Sequence, residues 1–378
     1  MFPTITGDRK VVILDGGLGT TLEQTFGLDI SHTPLWSAKA AVEHPTVIVD
    51  AHLAFLRAGA QIILTSTYQC SPSTFAGAGY GDEEGEKLMC KCVLLAEDAR
   101  VRFLSETHQN GGDAEPGPKI ALSLGPFGAG LSPAQEFDAF YPPPYGPRAY
   151  TTAGPNVNAF SPEEGELEAT ATEALAQYHL ERLSMVAADP RAWAAVDLIA
   201  FETVPLLREI RAIRIAVGRL AARGLHKPWW ISFVFPGGRF PETGGVTVRS
   251  VMDAAFGSGA GDGNLGRPSA LGVNCTDAGE LPRILQEMQA ALGEMGRGER
   301  DEKPWLVVYP NGGDIYDPAT QSWIVKSVTS GPSWAQRVGA MIKGIDLGDT
   351  LNGIVVGGCC RTGPADIREL GDILKRDS

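Results

Sequence analysis

Eight short, β-rich apolar segments recur along the 378-residue chain, and this recurrence restricts the fold more than any other feature. Each segment is nearly continuous in apolar residues rather than alternating, which is typical of parallel strands covered on both faces. We therefore predict eight parallel strands. They span residues 11–17, 61–68, 119–127, 197–205, 229–235, 270–275, 305–313 and 352–360.

Helical patterns fill the intervals between these strands. A predicted helix over residues 46–58 follows Pro45 and precedes Gly59, the usual asymmetry of a helix start and stop. An apolar stripe marks a second helix, and Ser161 with Glu164 forms a capping box that opens a third, ending near residue 188. The stripe consists of Leu88, Cys92, Leu95, Ala99 and Phe103, and further helices are predicted over 206–223, 246–256, 278–295, 333–345 and 364–376.

The alternation of eight strands with eight helices is the pattern of a (β/α)8 TIM barrel, an α/β fold. A hydrophobic fraction of 43% is enough for a large buried core. Segments rich in Gly and Pro near 110–118, 142–155 and 257–268 are expected to be loops or insertions. Because the strand count is complete only across all three, we predict one barrel domain over residues 1–378.

Charge and hydropathy narrow the range of partners. The net charge of −13 disfavours binding to nucleic acid or to an anionic membrane, since both need a basic protein surface. Residues 1–10 lack the apolar stretch of a secretory signal, and no apolar run approaches the ~20 residues of a membrane helix. We therefore expect a cytoplasmic protein whose six cysteines are reduced, catalytic or metal-bound rather than disulfide-paired. The oligomeric state stays open.

Three cysteines lie at strand ends, where the active site of a barrel forms. Cys275 ends the sixth predicted strand, and Cys359 with Cys360 ends the eighth. Three thiolates leave one tetrahedral position open, which is the arrangement of a catalytic zinc site. Adjacent residues of a regular strand point to opposite faces, but Gly357 and Gly358 permit a break in the strand. Core packing and a redox disulfide are the alternatives for these cysteines.

Two carboxyl groups, Asp15 and Glu202, end the first and fourth predicted strands. Together with the backbone amides around Gly16 and Gly17, they could hold an amino acid by its ammonium and carboxylate groups. General acid and base catalysis of hydrolysis is an alternative for a carboxylate pair. Asp15 could also cap the turn that follows it.

These motifs together resemble the homocysteine S-methyltransferase family of zinc-dependent barrels. The separated Gly-Val-Asn-Cys and Gly-Gly-Cys-Cys sequences are the most specific part of the match, whereas Asp-Gly-Gly alone would be weak. The matching stretches span positions 14 to 361. They are Leu14-Asp-Gly-Gly17, Thr20-Thr-Leu-Glu23, Thr65-Ser-Thr-Tyr-Gln69, Phe201-Glu-Thr203, Gly272-Val-Asn-Cys275, Val308-Tyr-Pro-Asn-Gly312 and Gly357-Gly-Cys-Cys-Arg361.

The resemblance implies roles for several of the matching residues. Cys275, Cys359 and Cys360 would bind Zn²⁺, and Asp15 and Glu202 would contact the amino group of homocysteine. The remaining implied contacts are Gly16, Gly17, Thr203 and Asn274 with homocysteine or its surroundings, and Trp36, Tyr68, Gln69 and Phe127 with the methyl donor. The aromatic rings among them could face a cation or simply pack at the barrel mouth.

The implied reaction moves a methyl group from a small sulfonium donor to the homocysteine thiolate, giving methionine. Thr203 and Gln69 resemble the branch that uses S-methylmethionine or S-adenosylmethionine, while a betaine-dependent enzyme is the alternative. The insertions at 142–155 and 257–268 resemble those of fungal members. Two other hypotheses are a zinc hydrolase, which would need His or carboxylate ligands at the strand ends, and a zinc or redox thiol sensor.

Overall fold

Eight parallel strands form the centre of the computed structural model. The structure describes residues 9–30, 33, 35–111, 116–257, 265–295, 302–313, 315–317, 322–324 and 331–375. The strands are β1 (Val11–Ile13), β2 (Ile62–Leu64), β3 (Lys119–Leu124), β4 (Leu198–Val204), β5 (Trp229–Phe233), β6 (Ala270–Asn274), β7 (Trp305–Tyr309) and β8 (Ile354–Val356). A separate antiparallel pair, Ile315–Asp317 with Ser322–Ile324, lies between β7 and β8 in sequence.

The strands follow one another around a barrel, which confirms the predicted fold. Their order is β1-β8-β7-β6-β5-β4-β3-β2, and every neighbouring pair in this sheet is parallel. A single bridge between Leu14 and Ile62 closes the ring. Side chains add to this seam, since Gln61 Oε1 accepts from the Ile13 N–H at 3.0 Å and Asp15 Oδ2 accepts from the Leu64 N–H at 2.8 Å.

Twelve α-helices surround the barrel in the described residues. The eight predicted helices are all present, with bounds shifted by a few residues. The other four, α1, α2, α4 and α7, have at most seven residues, too few for a helical periodicity to stand out. In chain order the helices are α1 (Leu18–Gln24), α2 (Ser37–Glu43), α3 (Pro45–Arg57), α4 (Pro72–Gly77), α5 (Asp82–Gln109), α6 (Gly165–Ala187), α7 (Pro190–Ala195), α8 (Leu207–Ala222), α9 (Val248–Phe256), α10 (Leu281–Glu294), α11 (Trp334–Lys343) and α12 (Pro364–Lys375).

The apolar core has two layers, which explains why the strand sequences are continuously apolar. One layer lies inside the barrel and includes Leu14, Trp230 and Tyr309, all at most 1% exposed. The other lies between the strands and the helices and is the larger of the two. Each strand therefore buries both of its faces, as expected for a parallel barrel. Among the described residues, no helix is both long and apolar enough to cross a membrane.

Several strands are shorter than predicted, and the motif residues lie beyond their ends. The predictions of strands reaching Gly17 and Cys360 are wrong at the carboxyl end, because β1 stops at Ile13 and β8 at Val356. Polar and glycine residues there turn away from the ladder and enter the loops at the barrel mouth. The adjacent cysteines are therefore in a loop, where the alternation of side chains in a strand does not apply.

The three predicted insertions run as loops wherever the structure describes them. Residues 142–155 contain no helix or strand. The segments near 110–118 and 257–268 also run as loops where they are described, but residues 112–115 and 258–264 lie outside the described part of the chain.

His52 makes the stability of the fold sensitive to acid. This side chain on α3 is fully buried, and burial lowers its pKa to about 4. In the described part of the chain, neither ring nitrogen has a hydrogen-bond partner. Protonation therefore favours the unfolded chain, whose histidine has a pKa near 6.5. The resulting stability is present above pH 6.5 and is lost as the pH falls toward 4.

We expect His52→Leu to reduce this loss, because the apolar side chain needs no hydrogen bond. Between pH 7.5 and 5, the free energy of unfolding of the native protein should fall by about 2 kcal/mol more than that of the variant. Urea unfolding at the two pH values measures the difference. Equal losses in both proteins would contradict this assignment.

Candidate active site

Three cysteine thiols meet at the carboxyl ends of β6 and β8. The Sγ atoms of Cys275, Cys359 and Cys360 all lie within 4.8 Å of one another, and each residue is half-buried. The sulfur atoms of Cys275 and Cys359 are in direct contact, with their Cα atoms 5.7 Å apart, and Cys360 has a free thiol. This spacing suits a disulfide as well as shared coordination, so the cluster could close by oxidation or hold a metal ion.

Asn274 fixes the backbone next to the first cysteine. Its Oδ1 accepts from the Thr203 N–H at 2.7 Å and from the Ser232 hydroxyl at 2.9 Å, and its Nδ2 donates to Thr203 Oγ1 at 2.7 Å. Thr203 and Cys275 both have left-handed backbone, with φ of 60° and 48°. Such conformations cost about 1–3 kcal/mol in non-glycine residues, and the bonds from Asn274 hold the strained Thr203 in place.

The loop after β1 lies directly against the loop that carries Cys359. The Gly17 N–H donates to Thr362 O at 2.9 Å, and a Cβ atom at Gly17 would be 2.5 Å from the Cys359 carbonyl oxygen. Only a residue without a side chain fits this gap. Gly17 therefore positions the second cysteine through backbone contact, whereas a Cβ atom at Gly16 would be 2.5 Å from the Thr362 carbonyl oxygen.

Asp15 and Glu202 are buried carboxyl groups of the same site. Asp15 is 0% exposed and its Oδ1 has no hydrogen-bond partner among the described residues, whereas Glu202 is 4% exposed and accepts from the Ser123 hydroxyl. Burial raises the pKa of Glu202 to about 7 and that of Asp15 well above its usual value, and the charge of Glu202 adds to the second effect. The Arg182 guanidinium lowers the pKa of Glu202 less than burial raises it, so an ammonium group beside the pair would further favour ionisation.

Tyr68 follows β2 at the same end of the barrel as the thiols. Its hydroxyl donates to Glu136 Oε2 at 3.3 Å, and burial together with the charges of Glu136, Glu202 and Cys360 raises its pKa. The ring packs on Gly125, where a Cβ atom would be 2.8 Å from the ring carbons. Sequence analysis missed Glu136, because a glutamate in an irregular loop carries no pattern that distinguishes it from a surface residue.

Arg182 on α6 positions the loops after β2 and β3. Its guanidinium is buried and donates to three backbone carbonyl oxygens, those of Cys70 at 2.7 Å, Gly125 at 2.6 Å and Tyr68 at 2.7 Å. Sequence analysis missed this residue as well, since an arginine in an amphipathic helix is usually solvent-exposed. The only available signal was its position among buried residues of the helix.

The other predicted donor residues occupy different places. Phe127 is 7% exposed, stacks on Tyr145 with ring centroids 4.0 Å apart, and meets Tyr141 and Tyr178 edge to face. It therefore packs within an aromatic cluster. Trp36 is half-buried directly before α2, and Gln69 is half-buried beside Tyr68.

The fold and the site define a barrel enzyme whose mouth combines a three-thiol cluster with buried carboxyl groups. The profile of the family described as homocysteine S-methyltransferase matches residues 12–374. The chain belongs to the homocysteine S-methyltransferase family, and it is a methyltransferase.

Individual relatives match along nearly the whole chain. Homocysteine S-methyltransferase 2 of Zea mays is 30% identical over 365 residues, covering 97% of this chain and 90% of the relative. Homocysteine S-methyltransferase YbgG of Bacillus subtilis (strain 168) is 29% identical over 362 residues, covering 95% of this chain and 93% of the relative.

A solved relative has been captured in more than one state. The metallated form of the homocysteine methyltransferase MmuM from Escherichia coli has a TM-score of 0.66 and 27% identity, covering 98% of each chain. Its oxidized form has the same TM-score with 28% identity, covering 96% of each chain. A metal in a relative agrees with a cysteine cluster that could hold one here.

The contact between Gly17 and Cys359 gives a direct test of the site geometry. Gly17→Ala should displace the Cys359 loop, lower the free energy of unfolding by about 1–3 kcal/mol and weaken metal binding. Gly77→Ala is the matched control, because no atom lies within 4 Å of a Cβ there. Thermal unfolding and zinc titration measure both effects, and a Gly17→Ala protein with native stability and affinity would refute the contact.

Proposed function

We propose that the protein transfers a methyl group from a sulfonium donor to the thiol of homocysteine, giving methionine, with Zn²⁺ as its metal. The observation that carries the proposal is the cluster of Cys275, Cys359 and Cys360 beside the buried pair of Asp15 and Glu202. The family supports the reaction, and its relatives bear the name of the same acceptor. We also propose that the chain is one barrel domain and that it lies in the cytoplasm, where thiols stay reduced.

The three thiols suit zinc. Burial and the nearby charges of Glu136, Glu202 and Glu23 raise the pKa of the Cys360 thiol to about 12, so this group needs a cation to become a thiolate. Zinc accepts three cysteine ligands and leaves a fourth position for a substrate. When bound, it would keep the homocysteine sulfur ionised at neutral pH.

The buried carboxyl pair would bind the other end of homocysteine. The unpartnered Oδ1 of Asp15 and the carboxyl group of Glu202 offer acceptors for the ammonium group. Gly16 and Gly17 offer a backbone surface without side chains for the carboxylate. Because the Gly17 N–H already donates to Thr362, this residue would act mainly by allowing close approach. Thr203 and Asn274 would shape the wall between β4 and β6.

The donor would lie on the outer side of the thiols, toward Tyr68, Gln69 and Trp36. Phe127 would not contact the donor but would pack behind these residues, in its cluster with Tyr145. In the transfer, a bond forms between the homocysteine sulfur and the methyl carbon, and the bond between that carbon and the donor sulfur breaks. The electron pair stays on the donor sulfur, which leaves as a neutral thioether, so the step needs no general acid.

A donor assay tests the function. Zinc-replete protein with homocysteine should form methionine from S-methylmethionine or S-adenosylmethionine and not from betaine. Methionine from betaine alone would overturn the choice of donor based on Thr203 and Gln69. No methionine from any donor, with zinc bound, would overturn the proposed reaction and favour a zinc or redox thiol sensor.

Single cysteine variants test the metal ligands. Cys275→Ala, Cys359→Ala and Cys360→Ala should each abolish turnover and lower the zinc content, since two thiols hold zinc poorly. Cys92→Ala is the matched control. Its thiol is fully buried on α5, so the variant should keep zinc and activity and lose about 1–2 kcal/mol of stability. Substantial activity in metal-stripped Cys360→Ala protein would contradict the ligand set.

A further inference from the structure

Glu136 is a carboxyl group at the barrel mouth that the proposed homocysteine site does not use. It is half-buried in the segment after β3 and accepts a hydrogen bond from the Tyr68 hydroxyl at 3.3 Å. The segments after β2, β3 and β8 all leave the barrel at the same end, because the strands are parallel. Glu136 and Tyr68 therefore lie at the end of the barrel that carries the thiol cluster.

The backbone on both sides of Glu136 is fixed. The Gln135 N–H donates to Gly128 O at 2.9 Å, and the Ala139 N–H donates to Gln135 O at 2.9 Å. Gln135 is 4% exposed and Ala139 is 0% exposed, so the turn that carries Glu136 is held by buried neighbours. A side chain on such a turn is preorganised for a ligand at the mouth.

No cation in the described part of the chain forms an ion pair with Glu136. Burial raises its pKa to about 7, and the hydrogen bond from Tyr68 only partly offsets this effect. A carboxyl group in this state gains from a positively charged ligand, because the ligand favours its ionised form.

We propose that Glu136 recognises the positively charged sulfur of the methyl donor and so selects sulfonium donors over neutral thioethers. The inference rests on the proposed function, in which Asp15 and Glu202 already bind the ammonium group of homocysteine. In-line transfer aligns the acceptor sulfur, the methyl carbon and the donor sulfur, so the sulfonium must lie close to the thiol cluster. Glu136 and Tyr68 border this space from the β3 and β2 sides.

The same charge would help to release the product. Transfer converts the sulfonium into a neutral thioether, and the attraction of Glu136 for the donor sulfur ends at that moment. Glu136 would thus contribute to binding of the donor more than to the transition state, in which the positive charge is already partly neutralised. Substitution of Glu136 should therefore raise KM for the donor and change kcat much less.

The test compares Glu136→Gln with Glu23→Gln at saturating homocysteine. Both changes are isosteric and remove one negative charge that acts on Cys360, but only Glu136 bonds to Tyr68. Glu136→Gln should raise KM for S-methylmethionine about tenfold or more while kcat changes less than about threefold. Glu23→Gln should change KM by less than about threefold. Glu136→Ser should reproduce the effect if the glutamine variant folds poorly.

Inhibition by methionine, measured in competition with the donor, distinguishes an effect of Glu136 on the sulfonium of S-methylmethionine from an effect on its ammonium group. The sulfur of methionine is neutral but its ammonium group is the same, so Glu136→Gln should leave its inhibition constant within about twofold. Equal losses for methionine and S-methylmethionine would place Glu136 at the ammonium group and overturn the inference. An unchanged KM, or equal effects of both substitutions, would overturn it as well. Failure of the proposed function has a different outcome, because the unmodified protein would then form no methionine.

Discussion

Closure of the barrel is the constraint on which the site depends. Cys275 and Cys359 are separated by 84 residues, yet parallel pairing of β7 with both β6 and β8 brings the ends of their strands to one mouth. The loop after β1 completes the arrangement, because β1 pairs with β8 and Gly17 lies against the Cys359 carbonyl. Chemistry that needs three sulfur atoms within a few ångströms thus follows from strand order rather than from any local sequence.

Buried acidic groups predominate among the described residues of the mouth. Asp15, Glu202 and Glu136 all have pKa values raised by burial, and the Cys360 thiol is held in its neutral form for the same reason. The buried guanidinium of Arg182 offsets this only in part, because it lowers the pKa of Glu202 less than burial raises it and its hydrogen bonds go to backbone carbonyls. Ligands can supply positive charge here, and the proposed metal ion, amino acid and sulfonium donor each carry a positively charged group.

Sequence analysis predicted the barrel, its eight long helices and the cysteine cluster, because all three depend on patterns of residue type. Strand ends were less predictable, since the backbone there is placed by close contacts with distant segments, such as those of Gly17 with Cys359 and of Gly357 with Asp15. Phe127 was expected at the mouth, but a ring beside a strand end can turn to either side, and packing with Tyr145 decides its position. Glu136 and Arg182 could not be predicted, since their roles come from tertiary contacts that leave no periodic signal.

The seam between β1 and β2, where the barrel closes, contains one of the residues of the proposed site. Only one bridge closes the ring there, and Asp15 adds a hydrogen bond across it to the Leu64 backbone. An ionised carboxylate accepts such a bond more strongly than a neutral carboxyl group. If Asp15 and Glu202 bind an amino acid as proposed, that ligand would therefore tighten the seam that closes the ring, and the barrel would resist local opening most while the site is filled.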